Sequence, residues 1–277
     1  MKFLKLLIIL FFILFNTSCS GKKEKENIIL ENDIESQMLE SYNEALKALN
    51  EGDVLYAAKK FNEVEILFPQ SDLASKSNLM AAYAYYSQDY YYDTIEELKI
   101  FIRKYPNHKN IDYAHYLTGI AYYDQIVDEK KDLNSVLKAK EKFEFVVKEY
   151  PNTDYAIDSK FKIDLVNDIL ASKEIYLGRY YFQKKKWIAS INRFKNVINK
   201  YETTIYAEEA LHRLVEIHYN IGLVDEAKKY ASLLGYNYQS SKWYEMSYSI
   251  FDQKYKKKVK QKKENNIVIK KFKSLFE

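Results

Sequence analysis

Cysteine occurs once in these 277 residues, at Cys19. An internal disulfide is therefore excluded, and so is any metal site built on paired cysteines. Proline occurs three times and glycine six. Turn-rich β architectures use many more of both, so long helices are expected. Arginine is almost as scarce: Arg103, Arg179, Arg193 and Arg213 are the only four in a lysine-dominated chain. Lys, Asn, Ile, Tyr and Phe are abundant, as AT-rich coding would produce, so any single one of the 27 tyrosines carries little information. Catalytic signatures are missing as well. There is no glycine-rich phosphate loop, no CxxC and no HExxH. The segment from Glu209 to His212 is one Glu-x-x-His, which carboxylate metal bundles use twice together with two further Glu. His108, His115 and His218 share no ligand spacing with it. The sequence thus assigns no catalytic residue, no metal and no cofactor, and the chain reads as a non-enzyme.

Charge is present but unevenly spread. The net charge is +4. Residues 254–277 hold ten Lys against two Glu, or +8, and Lys2 and Lys5 add +2, which leaves −6 for residues 19–253. A mildly acidic body with a basic tail is not a nucleic-acid binder, which carries its basic stripe on the folded surface.

The N-terminus is distinctive. Lys2 and Lys5 precede ten uninterrupted apolar residues, 6–15, and then Asn16, Thr17, Ser18 and Cys19. Ten helical residues span about 15 Å, half a bilayer core, so this reads as a signal segment and not a membrane span. Small residues followed by the single cysteine resemble a bacterial lipobox, with Asn16 where Leu is usual. That resemblance implies cleavage after Ser18 and lipidation of Cys19. The alternative is ordinary secretion with an incidental thiol. Residues 1–18 are assigned to the signal peptide and 19–35 to the lipidated cysteine and a flexible tether.

The body is repetitive. Aromatic-Pro stops recur at Phe68-Pro69, Tyr105-Pro106 and Tyr150-Pro151, where proline cannot continue a helix. Ser71, Asn110 and Thr153 or Asp154 follow as N-cap candidates. Twelve residues before each stop stands a small side chain (Ala57, Thr94, Ala139), and eight before it a large apolar one (Phe61, Leu98, Phe143). The same spacing places Ser190 and Phe194 before Glu202, and Ala227 and Ala231 before Gln239. Five copies of a helical hairpin follow, an all-α tetratricopeptide-like solenoid. Two copies are long. The third gains residues in the connection 124–135, and the fourth within 155–177, which reads as one lengthened helix ahead of Gly178. In that copy Gly178 allows close helix approach, Trp187 plugs the corner and Phe194 fills the gap. We divide the chain into front repeats (36–150), back repeats (151–240), a capping helix (241–253) and a Lys-rich tail (254–277).

Several strings are more specific than the repeat spacing: AYAYY (82–86), FIRKYPNHKNIDYAHYLTG (101–119), GRYYFQKKKWIASINRF (178–194) and EEALHRLVE (208–216). With the signal ending in CSG they resemble the BamD family, the lipoprotein subunit of the β-barrel assembly machinery of the Gram-negative outer membrane. KIDLVNDILASKE (162–174) and LGYNYQSSKWY (234–244) resemble a subset with a longer C-terminal cap. The resemblance covers about residues 35–251. It implies a scaffold lipid-anchored in the outer membrane and facing the periplasm, with unfolded outer-membrane protein clients and the barrel subunit BamA as partners beside other assembly-complex subunits. Front-half client-binding candidates are Tyr83, Tyr86, Arg103, Asp112 and Tyr113. Back-half BamA-binding candidates are Asn192 and Arg193. The connection at 124–135 is shorter than in better-known members, and the tail has no counterpart there. The competing expectation is a periplasmic tetratricopeptide scaffold coordinating cell-wall enzymes with envelope constriction, but residues 21–35 are too short for the coiled coil such proteins carry.

Overall fold

The computed structural model describes residues 26–126 and 132–252, with side chains from Ile34 onward. The signal segment, Cys19, the Lys-rich tail and part of the 124–135 connection lie outside the described residues. Among the described residues eleven helices follow one another and no strand occurs: α1 (Glu26–Glu51), α2 (Val54–Leu67), α3 (Asp72–Tyr86), α4 (Tyr91–Lys104), α5 (Ile111–Asp124), α6 (Asn134–Glu149), α7 (Asp154–Gln183), α8 (Trp187–Lys200), α9 (Ala207–Asn220), α10 (Val224–Asn237) and α11 (Lys242–Phe251). α1 begins inside the stretch read as a tether. The chain divides into two compact units, Met1–Gln88 and Asp89–Glu277.

The first unit holds α1 to α3. Gly52 makes the α1–α2 turn at φ 86°, a left-handed conformation that glycine adopts without steric cost. Asp53 then caps α2, its Oδ1 accepting from Tyr56 N at 3.2 Å. Between the helices Phe61 is fully buried, its ring 5.5 Å from Tyr42 and edge-on to it. Ala45, Ala57, Ala58, Ala81 and Ala84 are buried around it with no exposure. These small side chains let three helices approach one large ring.

The second unit holds α4 to α11 and repeats that solution. Phe143 and Phe194 are fully buried. Each lies against the glycine of its hairpin: a Cβ on Gly119 would stand 2.8 Å from the Phe143 ring, and one on Gly178 2.5 Å from the Phe194 ring. Ser190 Oγ donates to Gly178 O at 2.9 Å, so the small residue also satisfies a buried polar atom across the pair. Trp187 packs edge-on against Phe182 at 5.6 Å and closes the corner. α7 is a single helix of 30 residues, where α3, α5 and α9, the first helices of their hairpins, have 14 or 15. The extra turns expected within 155–177 are thus continuous helix.

The five stops share a feature that proline does not explain. Phe68, Tyr105, Tyr150, Tyr201 and Tyr238 all sit just past a helix with φ between −125° and −139°. Each donates its N–H to the carbonyl four residues back. Glu202 and Gln239 follow the last two where Pro would stand, and the helices end identically. The aromatic residue is the constant of the repeat, and proline accompanies it in three copies. Of the cap candidates, Ser71, Asn110 and Thr153 all occupy N-cap positions, but only Thr153 makes the side-chain bond, accepting from Ala156 N at 3.2 Å.

Candidate functional site

The expected contact residues fall into three places. Tyr83 and Tyr86 lie on α3 in the first unit, Tyr83 exposed and Tyr86 half-buried. Arg103, Asp112 and Tyr113 lie in the second unit. Arg103 is in the last turn of α4, exposed, and has no ion-pair partner among the described residues. It lines a groove of about 440 Å³ with Lys99 and Ile102 of α4, His115, Thr118 and Tyr122 of α5, and Lys138, Glu141 and Lys142 of α6. Four cations face one carboxylate there. The ring of Tyr122 carries Lys138 Nζ at 5.3 Å. His115 in its lining packs tilted against Phe145, centroids 4.4 Å apart, and its buried Nδ1 has no hydrogen bond. Burial first, and Lys142 second, push its pKa down to about 4, so the imidazole is neutral at pH 7. The groove thus sets cations beside the Tyr122 ring.

Asp112 and Tyr113 do not line that groove. Asp112 sits in the first turn of α5, where its charge complements the helix dipole, and its Oδ1 accepts from Tyr113 N at 2.8 Å. The Tyr113 ring packs 5.4 Å from Tyr155. Within the second unit, Arg103 therefore lines the groove while Asp112 and Tyr113 do not.

On α8, Asn192 is exposed and Arg193 is half-buried. Arg193 Nη1 donates to Glu174 Oε1 of α7 at 3.1 Å, and Asn196 Nδ2 donates to Oε2 of the same carboxylate at 3.2 Å. One guanidinium edge is held inside the hairpin, while Nη2 and Nε make no hydrogen bond among the described residues.

A third arrangement was not anticipated as a unit. Arg179 of α7 grips Glu209 of α9 with both ends of its fork: Nε donates to Oε1 at 2.6 Å and Nη2 to Oε2. Glu209 is only 4 % exposed. Arg213, one turn on, lies 3.5 Å from the same carboxylate and donates to Glu216 at 2.5 Å. Its guanidinium stacks over Phe182 and Trp243, 5.6 Å from each. His212, 1 % exposed, shares a 2.9 Å hydrogen bond with Ser247 of α11 and lies under Trp243. Burial holds its pKa down at about 4, against an opposing pull from Glu216. Thus Glu209 and His212 are structural, and three of the four arginines are committed to carboxylates of this chain. The sequence signal was the scarcity of arginine itself. A planar fork is what a buried carboxylate needs, and Lys cannot supply it.

A family model described as "YfiO: Outer membrane lipoprotein" matches residues 34–233. The chain is also 42 % identical over 251 residues to the outer membrane protein assembly factor BamD of Rickettsia prowazekii (strain Madrid E), covering 90 % of this chain and 98 % of that protein. The chain belongs to the BamD family. A second member, the assembly factor BamD of Caulobacter vibrioides, is 39 % identical over 234 residues, 84 % of this chain and 76 % of that one. Among solved structures, a thermophilic tetratricopeptide-repeat protein of Thermus thermophilus aligns with a TM-score of 0.35 at 13 % identity, over 77 % of this chain and 98 % of that one, too loosely to carry an argument. Two of the four family-like strings meet in the ion network with a third from the cap: GRYY supplies Arg179, EEALHRLVE supplies Glu209, His212 and Arg213, and SSKWY supplies Trp243. In these strings the charged residues are internal architecture that joins α7, α9 and α11.

Proposed function

We propose that this chain is a non-enzymatic scaffold subunit of the complex that assembles β-barrel proteins into the outer membrane. The observation that carries this reading is membership of the BamD family, with relatives named assembly factors and one aligned over nearly its whole length. The scaffold is lipid-anchored at Cys19 and faces the periplasm. Its front repeats receive unfolded outer-membrane protein segments, and its back repeats dock the BamA-like barrel subunit.

Geometry refines the residue roles. For clients, Arg103 is the strongest of the front candidates, because it is exposed, unpaired among the described residues, and stands on the rim of a basic, aromatic-walled groove. Tyr83, exposed on α3 in the first unit, offers an aromatic contact. Tyr86, Asp112 and Tyr113, half-buried, complete the set of client-contact candidates. For BamA, Asn192 presents its amide to solvent and Arg193 presents Nη2 while Glu174 fixes its other edge. A guanidinium already held in place loses little further entropy when a partner carboxylate arrives.

The test is co-purification from detergent-solubilised envelopes with a tagged full chain. A barrel protein with periplasmic domains should come with it. Cell-wall synthases or hydrolases in its place would overturn the reading. Arg193→Ala, in a chain whose helicity is unchanged, should lower recovery of the barrel subunit about tenfold, the loss of one charge-assisted contact. Labelled palmitate should enter the wild-type chain and not Cys19→Ala, and an unlabelled wild type would sink the anchor.

A further inference from the structure

The first half of α7 carries an apolar row that no described helix covers. Ile157, Phe161 and Leu165 are 54 %, 65 % and 47 % exposed, and steps of four place them on one face. The cause is the length of α7. α8 meets α7 at Gly178 and Glu174, and its end at Tyr201 lies under Lys140, which reaches Asn167. Earlier turns of α7 have α5 and α6 on their other side, where Tyr116 bonds Asp158 at 2.7 Å, and no hairpin partner. Asp154, Asp164 and Asp168 fall on the same face by steps of three and four from the apolar row. None of these carboxylates has an ion-pair partner among the described residues. The face is therefore apolar and acidic together.

We propose that it is the seat of this chain's own C-terminal segment, residues 267–276. That segment places Val268, Phe272 and Leu275, with Ile269 and Phe276 beside them, at helical spacing, and sets Lys270, Lys271 and Lys273 among them. Its apolar and basic groups match the apolar row and the three carboxylates. An anionic membrane suits the lysines equally well, but it would repel the α7 carboxylates, so it does not explain this face. The reach is sufficient. α11 is tied to α9 by Ser247 and His212, and α9 to α7 by Glu209 and Arg179. Phe161 is 18 residues before Arg179, about 27 Å along the helix. Residues 252–266 can extend to about 50 Å.

The test places p-benzoylphenylalanine at Phe161 of the full chain, which keeps an aromatic ring on the row. Irradiation should yield a monomer cross-linked to a peptide from 266–277. K270E/K271E/K273E should cut that product about tenfold, and adding D164K/D168K should restore it, because reversing both sides recreates the attraction. Circular dichroism verifies the fold of each variant. Cross-links only to a second copy's tail, only to lipid in phosphatidylglycerol vesicles, none to the tail, or a yield indifferent to charge reversal would each overturn the proposal.

Discussion

Gly178 and Phe194 form the tightest small-on-large pair in the repeat. A methyl on Gly178 would stand 2.5 Å from a ring that has no exposure. Alanine raises helix propensity by about 1 kcal/mol over glycine, but overpacking a filled core costs about 1–3 kcal/mol. The ring cannot swing toward solvent, so the clash wins. Gly178→Ala should lower unfolding free energy by about 1 kcal/mol in urea titrations, and Gly178→Ala with Phe194→Leu should cost less than the sum of the two. His212 makes a second residue-scale prediction. Its folded pKa of about 4 lies below the ordinary 6.5 because burial penalises the imidazolium. Between those values the unfolded chain binds the extra proton, so stability is full above about pH 6.5 and falls as pH drops toward 4. His212 should contribute roughly 1 kcal/mol per pH unit near pH 5, and because His115 is held down to about 4 in the same way, His212→Gln should lower the slope by about that amount without abolishing it. Phe194 could be placed from sequence because a large apolar side chain recurs eight residues before four of the five stops. His212 could not, because its environment comes from Ser247 and Trp243 on another helix.

Among the elements, α7 decides most. It pairs along its second half with α8 through Ser190 and Phe194, and it is riveted to α9 by Arg179. Glu209 is the receiving end of that rivet, and its side chain is 6 % exposed. Glu209→Gln leaves Arg179 and Arg213 without their shared charge. Half of the Arg179 side chain is in solvent, so the loss is smaller than for a fully buried pair, about 2 kcal/mol. Thermal unfolding should show it as a lower Tm with unchanged helicity. The length of α7 was legible, since residues 155–177 ahead of Gly178 hold no breaker and make the fourth copy long. Its pairing was not: Arg179 and Glu209 are 30 residues apart, and nothing in local spacing distinguishes that glutamate from Glu208 beside it. Packing chose Glu209 by turning its side of α9 inward.

At the scale of the whole molecule, co-purification of a barrel protein with the tagged chain is where the proposed scaffold reading stands or falls. The contact residues carried over by resemblance are spread over both compact units, on α3, α4, α5 and α8. The sequence by itself determined the helical hairpins and the places where their second helices stop, but not the start of α1, which lies inside the stretch read as a tether. A small residue, a large one and an aromatic stop at fixed offsets specify a helical hairpin wherever they occur, because the terms involved are local. Only the tertiary structure decided which polar side chains remain available to a partner. Arg103 stays open, Arg193 keeps one free edge, and Arg179 and Arg213 are consumed. The physical reason is that a buried carboxylate must be paired, and the arginine that pairs it is chosen by how helices distant in sequence come together.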